Sequence, residues 1–346
     1  MKVQPNIAII GAGMAGLAAA RELKSAGCYV VIYEKSRAVG GRTASRRHEN
    51  LVFDHGAQNI KSTDTELGRV AHQLLKPEDF AVIPAPVCLH DGHTILPPGE
   101  AANAAPKWSC NGGITRLAKA LAADLDIRFN SRVSALGETE NDVALYGDGG
   151  ELITRVDYVI VTAPAPQTAD LLAAESPSST ADISARASRI EVLHSITYSN
   201  CLSVMLHFDT SLEAHWYALL AQDRAHPLLW LARENAKGTR FVPENSDTSL
   251  VAQLGPQISR ELYDADDEDV VNQTCVWISE LLGEGFAVPQ WSSVKRWRYS
   301  QPQSTTEFHT VNLPGSRIVI CGDATSAGRV PDAYASGLRA ADFILQ

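Results

Sequence analysis

No run of about 18 uncharged apolar residues occurs in the 346-residue sequence, so no membrane partner is expected. There is also no concentrated basic run beyond Arg46-Arg47, and 30 basic against 40 acidic residues leave a formal charge of −10. Such a chain has little means of displacing phosphate counterions along a surface, so nucleic acid is not an expected partner. Cysteine occurs at Cys28, Cys88, Cys110, Cys201, Cys275 and Cys321, with neither a C-x-x-C pair nor metal-ligand spacing. These read as reduced core thiols of a cytoplasmic protein, and no metal is expected. His90, His93, His194 and His207 lack triad or ligand spacing. No internal repeat or low-complexity segment is present. The apolar N-terminus is interrupted by Arg21, Glu22 and Lys24, which argues against a signal peptide.

What is there is the composition of an ordinary globular protein, 45% hydrophobic and 20% charged. Its length suggests two domains. The informative stretch is IIGAGMAGLAAARELKSAGCYVVIYEK, from Ile9 to Lys35. Gly11, Gly13 and Gly16 form G-x-G-x-x-G between a strand at Asn6–Ile10 and an apolar helix carrying Met14, Leu17, Ala18 and Leu23. A second strand, Tyr29–Tyr33, leads to Glu34, 23 positions after Gly11. Gly11 permits the tight turn, Gly13 lets backbone N–H groups approach a pyrophosphate, and Gly16 lets helix pack on strand. The helix N-terminus favours the phosphate charge, and Glu34 can accept from ribose hydroxyls. NAD and FAD both fit this unit.

Beyond it, SRAVGGRTASRR reads as a polar loop, Leu51–Phe53 as a strand and Asp64–Leu75 as a helix. Val87–His90 and Thr94–Leu96 flank Asp91-Gly92 as a hairpin. A helix follows Gly112-Gly113. Short strands are expected at Ile127–Phe129, Arg132–Leu136, Val143–Tyr146, Tyr158–Val161, Leu202–Phe208 and Leu228–Ala232. The Ser-rich Glu175–Ser188 reads as a helical or loop excursion. An acidic cluster at Asp264–Asp269 opens a helix at Val270–Leu282. Arg317–Cys321 reads as a strand before Gly322-Asp323, and Asp332–Leu345 as a final helix.

Three further segments separate the two nucleotides: GGRT at Gly40–Thr43, VTAPAP at Val161–Pro166 and CGDATSAGRVPDAYASG at Cys321–Gly337. With them the chain resembles the flavin-dependent amine oxidase superfamily, in which Gly-Gly-Arg follows the ribose acid and a late Gly-Asp meets the bound FAD. FDHGAQ, APAPQTADLL, WLARENAKG and KRWRYSQP narrow the resemblance to renalase and its bacterial relatives. The resemblance implies an α/β fold, a Rossmann-type FAD-binding domain with an inserted α+β substrate domain, arranged as in p-hydroxybenzoate hydroxylase. The expected FAD-domain segments are 1–60, 108–165 and 295–346; those of the substrate domain are 61–107 and 166–294.

It further implies non-covalent FAD held by Gly11, Ala12, Gly13, Met14, Ala15 and Gly16, with Glu34 and Lys35 at the ribose and Gly41 and Arg42 near the phosphates. Val133 would meet adenine; Asp323, Arg329 and Val330 would follow the ribityl chain and pyrimidine edge; Ala57, Gln58 and Ala163 complete the set. For Asp323 a helix N-cap before Ala324 is the bland alternative. The resemblance also implies hydride transfer from isomeric dihydro-NAD(P) and reoxidation by oxygen, giving hydrogen peroxide.

Candidate substrate contacts are Gln58, Trp230, Arg233, Arg296, Trp297 and Tyr299: aromatic rings suit a flat pyridine, and arginine suits a phosphate or carboxamide. Each could equally be a core aromatic or a structural arginine. The strand-like LSVMLHFDT, Leu202–Thr210, contains no lysine, where amine oxidases of the superfamily usually carry one bridged by water to the flavin. Oxidation of an amine or a polyene, and a flavoprotein without turnover, remain as alternative classes.

Overall fold

The computed structural model describes residues 4–174, 183–238 and 247–346. The chain forms two compact units: Met1–Gly41, Ala118–Tyr198 and Gln301–Gln346 in one, Arg42–Leu117 and Ser199–Ser300 in the other.

The first unit is built on five parallel strands, in sheet order Asp126–Arg128, Tyr29–Tyr33, Asn6–Ile10, Tyr158–Val161 and Ile318–Ile320. Apart from Asn6, the central strands Asn6–Ile10 and Tyr158–Val161 are apolar because both faces are covered. On one face Ala8, Val159, Val161, Ile318 and Ile320 pack with Leu136, Leu145, Ala169, Leu172 and Leu193. On the other, Ile9 lies beneath the helix Met14–Ser25, where a Cβ added to Gly16 would come within 3.3 Å of Ile9 and 2.0 Å of the Gly11 carbonyl oxygen. The C-terminal helix Val330–Leu345 packs on that same helix. Its Gly337 sits so close that a Cβ would stand 2.1 Å from the Ala15 carbonyl oxygen.

The second unit centres on a seven-stranded sheet in the order Trp291–Pro302, Tyr198–Phe208, Thr248–Leu254, Leu228–Arg233, Ala218–Ala221, Val87–His90 and Ile95–Pro98. One face is covered by the helix Asp267–Leu282, whose Val270, Cys275 and Ile278 meet Leu202, Val204, Leu231 and Ala252. The opposite face receives Leu51 and Phe53 against Met205 and Val251.

Several expectations are corrected by this packing. The unit boundaries fall after Gly41, Leu117, Tyr198 and Ser300, where the sequence suggested 60, 107, 165 and 294. The stretch after Gly41 leaves the first unit early because Ser45–His48 is a strand, not loop, paired antiparallel with Leu51–Asp54, whose apolar side chains belong to the second core. Conversely, the helices Ala165–Ala173 and Ile183–His194 stay with the first unit because Leu172 and Leu193 complete its core. The part of the Ser-rich segment from 175 to 182 lies outside the described residues. The Asp91-Gly92 hairpin forms with Leu89 opposite Leu96, its second strand being Ile95–Pro98. Thr248–Leu254 and the twelve-residue Trp291–Pro302 carried too mixed a pattern to stand out as strands.

Gly337→Ala should force the two helices of the first unit apart. Overpacking of this kind costs about 1–3 kcal/mol, so a thermal melt should show a lower Tm; an unchanged Tm would mean the helices separate freely.

Candidate functional site

The parallel register puts one end of every strand of the first unit in line. Arg128, Tyr33, Ile10, Val161 and Ile320 are partners across the sheet. The residues just past this row are therefore Glu34, Gly11, Thr162-Ala163 and Cys321–Asp323, gathered at the carboxyl ends of the strands, where parallel sheets bind ligands. Val133 follows the remaining strand. Its main chain is pinned on both sides, Ser131 N donating to Glu34 O and Ser134 N to Tyr146 O.

Gly11 has φ +106°, and a Cβ there would meet Thr162 Oγ1 at 2.5 Å. Gly13, the N-cap of Met14–Ser25, differs: a Cβ on it would touch no protein atom within 4 Å. Nothing in the protein requires glycine there, whereas a group approaching the N–H donors of the first turn would. Gly41 closes the other side, its Cβ position 3.5 Å from Gly13 Cα. No acidic residue stands in that helix's first turn, and the helix dipole favours an anion. A dinucleotide pyrophosphate fits this cradle.

Glu34 is buried, with Oε2 accepting from Ala12 N at 2.8 Å and Oε1 from Ser36 N at 2.8 Å. A carboxylate has about four acceptor positions, so ribose hydroxyls can still be received. Lys35 points outward to Gln167 Oε1 at 3.3 Å. Asp323 is buried and accepts from Tyr198 Oη at 3.0 Å, which itself accepts from Ala165 N. Asp323 is not a helix cap; the last helix starts later, with Arg329 as N-cap, exposed, and Val330 as its first residue. The Cys321 thiol is fully buried, and burial pushes its pKa up to about 12.

In the second unit the sequence candidates gather on the segment Asp54–Gln58. Its carbonyls are taken by side chains: Gln58 Nε2 donates to Asp54 O, Trp297 Nε1 to His55 O at 2.9 Å, Gln253 Nε2 to Gly56 O at 2.8 Å and Tyr217 Oη to Gln58 O at 2.9 Å. Ala57 N donates to Arg42 O. The Arg42 guanidinium reaches the carbonyls of Tyr299 and Ser300 at 3.3 and 3.2 Å. Trp230 packs edge-on to Tyr217 with ring centres 6.0 Å apart.

Arg233 and Arg296 stand apart from this group. Arg233 donates to the carbonyls of Ala214 and Trp216, and Arg296 to those of Tyr263 and Ala265 and to the Asp267 carboxylate. Both guanidiniums are committed to structure, which corrects their reading as anion holders.

Two residues not singled out from the sequence anchor the segment. Lys237 is completely buried; its Nζ lies 2.6 Å from Glu234 Oε1, 3.0 Å from Gln58 Oε1 and 3.4 Å from Asp54 Oδ2. Only the short WLARENAKG match carried it, because a lysine is ordinarily a surface residue. His55 stacks on Trp297 at 5.5 Å, and its Nδ1 is buried without a partner. Burial, aided by the charges of Lys295 and Arg46, lowers its pKa to about 4.

Among the described residues no cluster of three or more His, Cys, Asp or Glu is placed to hold a metal, and no helix is long and apolar enough to cross a membrane.

The family model for flavin containing amine oxidoreductase matches residues 88–345, and that for an NAD(P)-binding Rossmann-like domain matches residues 9–74. Protoporphyrinogen oxidase 2 of Arabidopsis thaliana is 38% identical over 69 residues, 20% of this chain and 14% of that protein. Putrescine oxidase of Kocuria rosea is 38% identical over 72 residues, 21% and 15% of the two chains. The chain thus spans about one seventh of these relatives' length. Over the whole chain, a protein of Exiguobacterium sp. 255-15 provisionally named protoporphyrinogen oxidase superposes with a TM-score of 0.80 at 16% identity, covering 100% of both chains. Putrescine oxidase bound to putrescine superposes at 0.71 and 15%, covering 99% of this chain and 100% of that one. At such identities the likeness is one of fold.

Glu34→Ala removes the partner of Ala12 N and the carboxylate expected at the ribose. FAD affinity, measured by titrating the apoprotein, should weaken by about 1–3 kcal/mol; unchanged affinity would place the ribose elsewhere. A second expectation concerns His55. Its folded pKa of about 4 lies below the ordinary 6.5, so the unfolded chain binds the extra proton in between. The stability it contributes is full above pH 6.5 and falls, by up to about 1.4 kcal/mol per pH unit, towards pH 4. Tm against pH should therefore be less steep in His55→Phe than in the wild type, and equal slopes would assign the titration to another group.

Proposed function

The chain belongs to the flavin-containing amine oxidoreductase family, whose members are FAD-dependent oxidoreductases, and from that premise we propose that it oxidises isomeric dihydro-NAD(P). The glycine-rich turn at Gly11–Gly16, with Glu34 and Asp323, would hold FAD, which would supply the two-electron chemistry between the dihydropyridine and oxygen. One dihydropyridine, one oxygen molecule and one proton then give NAD(P)+ and hydrogen peroxide.

In this reading the chain's own groups bind and orient. The N–H donors of the Met14–Ser25 helix start and the opening at Gly13 take the pyrophosphate, and Glu34 takes the ribose hydroxyls. Asp323, fixed by Tyr198, meets the ribityl side. With Cys321 buried and protonated, no covalent link to the flavin is expected from it. Aromatisation drives hydride loss from a dihydropyridine, so substrate placement suffices and no general base is needed.

The observation carrying the substrate class is the state of the second unit's buried carboxylates. Among the described residues these are Asp54 and Glu234, and both are engaged by Lys237. An ammonium substrate would want such a carboxylate. The strand Tyr198–Phe208 carries no lysine.

Anaerobic mixing of the holoenzyme with the 2- and 6-dihydro isomers, ordinary NAD(P)H and spermine tests the proposal. Rapid loss of the yellow absorbance is expected with an isomer. Ordinary NAD(P)H should be on the order of a hundredfold slower, since its hydride sits about 1 Å or more from the productive position. Bleaching by spermine with the isomers inert would replace this reading with amine oxidation.

A further inference from the structure

The register of the seven-stranded sheet brings together buried polar atoms that the protein leaves unbonded. Ser203 is directly opposite Gln253, and Gln253 directly opposite Trp230, on three adjacent antiparallel strands. Directly paired residues project from the same face of a sheet. The residues alternating with them, including Leu202, Val204, Ala252 and Leu231, enter the core under Asp267–Leu282. Ser203, Gln253 and Trp230 therefore share the opposite face, and Gln253 reaches from it to Gly56 O at 2.8 Å. His55 adjoins that glycine.

Seven side-chain atoms among the described residues are buried with no hydrogen-bond partner. Three belong to residues linked through Gln253, two on the flanking strands and one in the segment it holds: Ser203 Oγ, Trp230 Nε1 and His55 Nδ1. Gln253 lies between the first two and holds the segment carrying the third. Buried polar groups are nearly always satisfied, and three orphans around one side chain mark where a ligand would satisfy them.

The chemistry of the place selects the ligand. Trp230 Nε1 only donates, the Ser203 hydroxyl donates or accepts, and a neutral imidazole does one or the other. Burial keeps His55 uncharged above about pH 4. Arg233 and Arg296 are held by carbonyls and Asp267, while Asp54 and Glu234 are held by Lys237. The remaining charges bearing on His55 are the cations Lys295 and Arg46, which repel an ammonium. Adjacent strands lie about 4.8 Å apart, so Ser203 and Trp230 stand about 10 Å apart on either side of Gln253.

We infer that Ser203, Trp230 and His55 form a subsite for an uncharged carboxamide on a flat ring, the head group of a dihydropyridine nucleotide. This inference rests on the proposed oxidase reading for the rest of the substrate, but the subsite itself can be tested without turnover.

The experiment measures the dissociation constants of nicotinamide, benzoate and benzylammonium on the oxidised holoenzyme by calorimetry, for the wild type, Trp230→Phe and Ser203→Ala. Ser203→Ala nearly preserves size and Trp230→Phe keeps an aromatic ring without the N–H, and FAD content and Tm confirm folding. Nicotinamide should bind at least tenfold more tightly than either charged ring. Each variant should weaken it by about tenfold, the loss of one hydrogen bond, with FAD content unchanged. No nicotinamide binding to the wild type, preference for benzylammonium, or wild-type affinity in both variants would overturn the subsite. If the binding pattern holds but no dihydropyridine bleaches the flavin, the subsite stands and the oxidase reading falls. Bleaching with unaltered nicotinamide affinity in both variants gives the reverse.

Discussion

A single buried ammonium organises the second unit. Lys237, with no exposed surface, lies against Glu234, Asp54 and Gln58. Removing one charge from water is costly, and the cost is met only when counter-charges and hydrogen bonds are close and complete. Here they are. Asp54 also accepts from Ser45 Oγ, Ser109 Oγ and Ile114 N, and its own N–H donates to Glu234 Oε2. The strand hairpin, the loop before the Thr115–Leu121 helix and the turn after Leu228–Arg233 are therefore joined through one charged cluster. Because an ammonium can only donate, it also fixes which end of the Gln58 amide faces it. That sends Nε2 to the Asp54 carbonyl and shapes the segment on which the sequence candidates converge.

The first unit works by a different constraint. Its site is made from main chain: five parallel strands ending in register, a helix beginning immediately after one of them, and glycines where a Cβ would collide or obstruct. Gly16 and Gly337 are dictated by helix packing, since carbonyl oxygens stand where their side chains would begin. Gly13 is dictated by nothing in the protein, and this makes it the informative one. The side chains proposed to enter it, Glu34 and Asp323, are each held by protein donors.

This difference explains what could be read from sequence. A main-chain site leaves local signatures, so Gly11, Gly13, Gly16 and Glu34 are legible within 24 residues, as is the Asp91-Gly92 hairpin. A site made of side chains from distant segments leaves almost none. Lys237 and Asp54 are 183 positions apart, and nothing in either neighbourhood announces the other. Arg233 and Arg296 look alike as ligand candidates; only folded geometry shows their carbonyl partners. His55 does not stand out in the sequence because its interest lies in what it lacks, a partner for Nδ1, and a sequence cannot display that. The boundaries shifted for a related reason: Leu51 and Phe53 belong to whichever core they reach, here that of Met205 and Val251.

Charge neutralisation then links the fold to the proposed chemistry. A surface that binds ions must keep a charged group available, and available charges in a dry place are unstable unless paired. Around Asp54–Gln58 the pairing is internal: the Lys237 ammonium with carboxylates, the Arg42 guanidinium with carbonyls. Left over are an indole N–H, a hydroxyl and an imidazole held neutral by burial, with the charges of Lys295 and Arg46 bearing on the imidazole. Such groups cannot deprotonate or attract an ammonium, but they can orient an uncharged ring by direction alone. Orientation is what hydride transfer from a dihydropyridine requires, because the donor carbon is distinguished from its neighbours only by position on the ring. The same internal pairing that lets Lys237 be buried thus engages the carboxylates an ammonium would want, and in the proposed reaction direction, not charge, would choose between isomers that differ only in geometry.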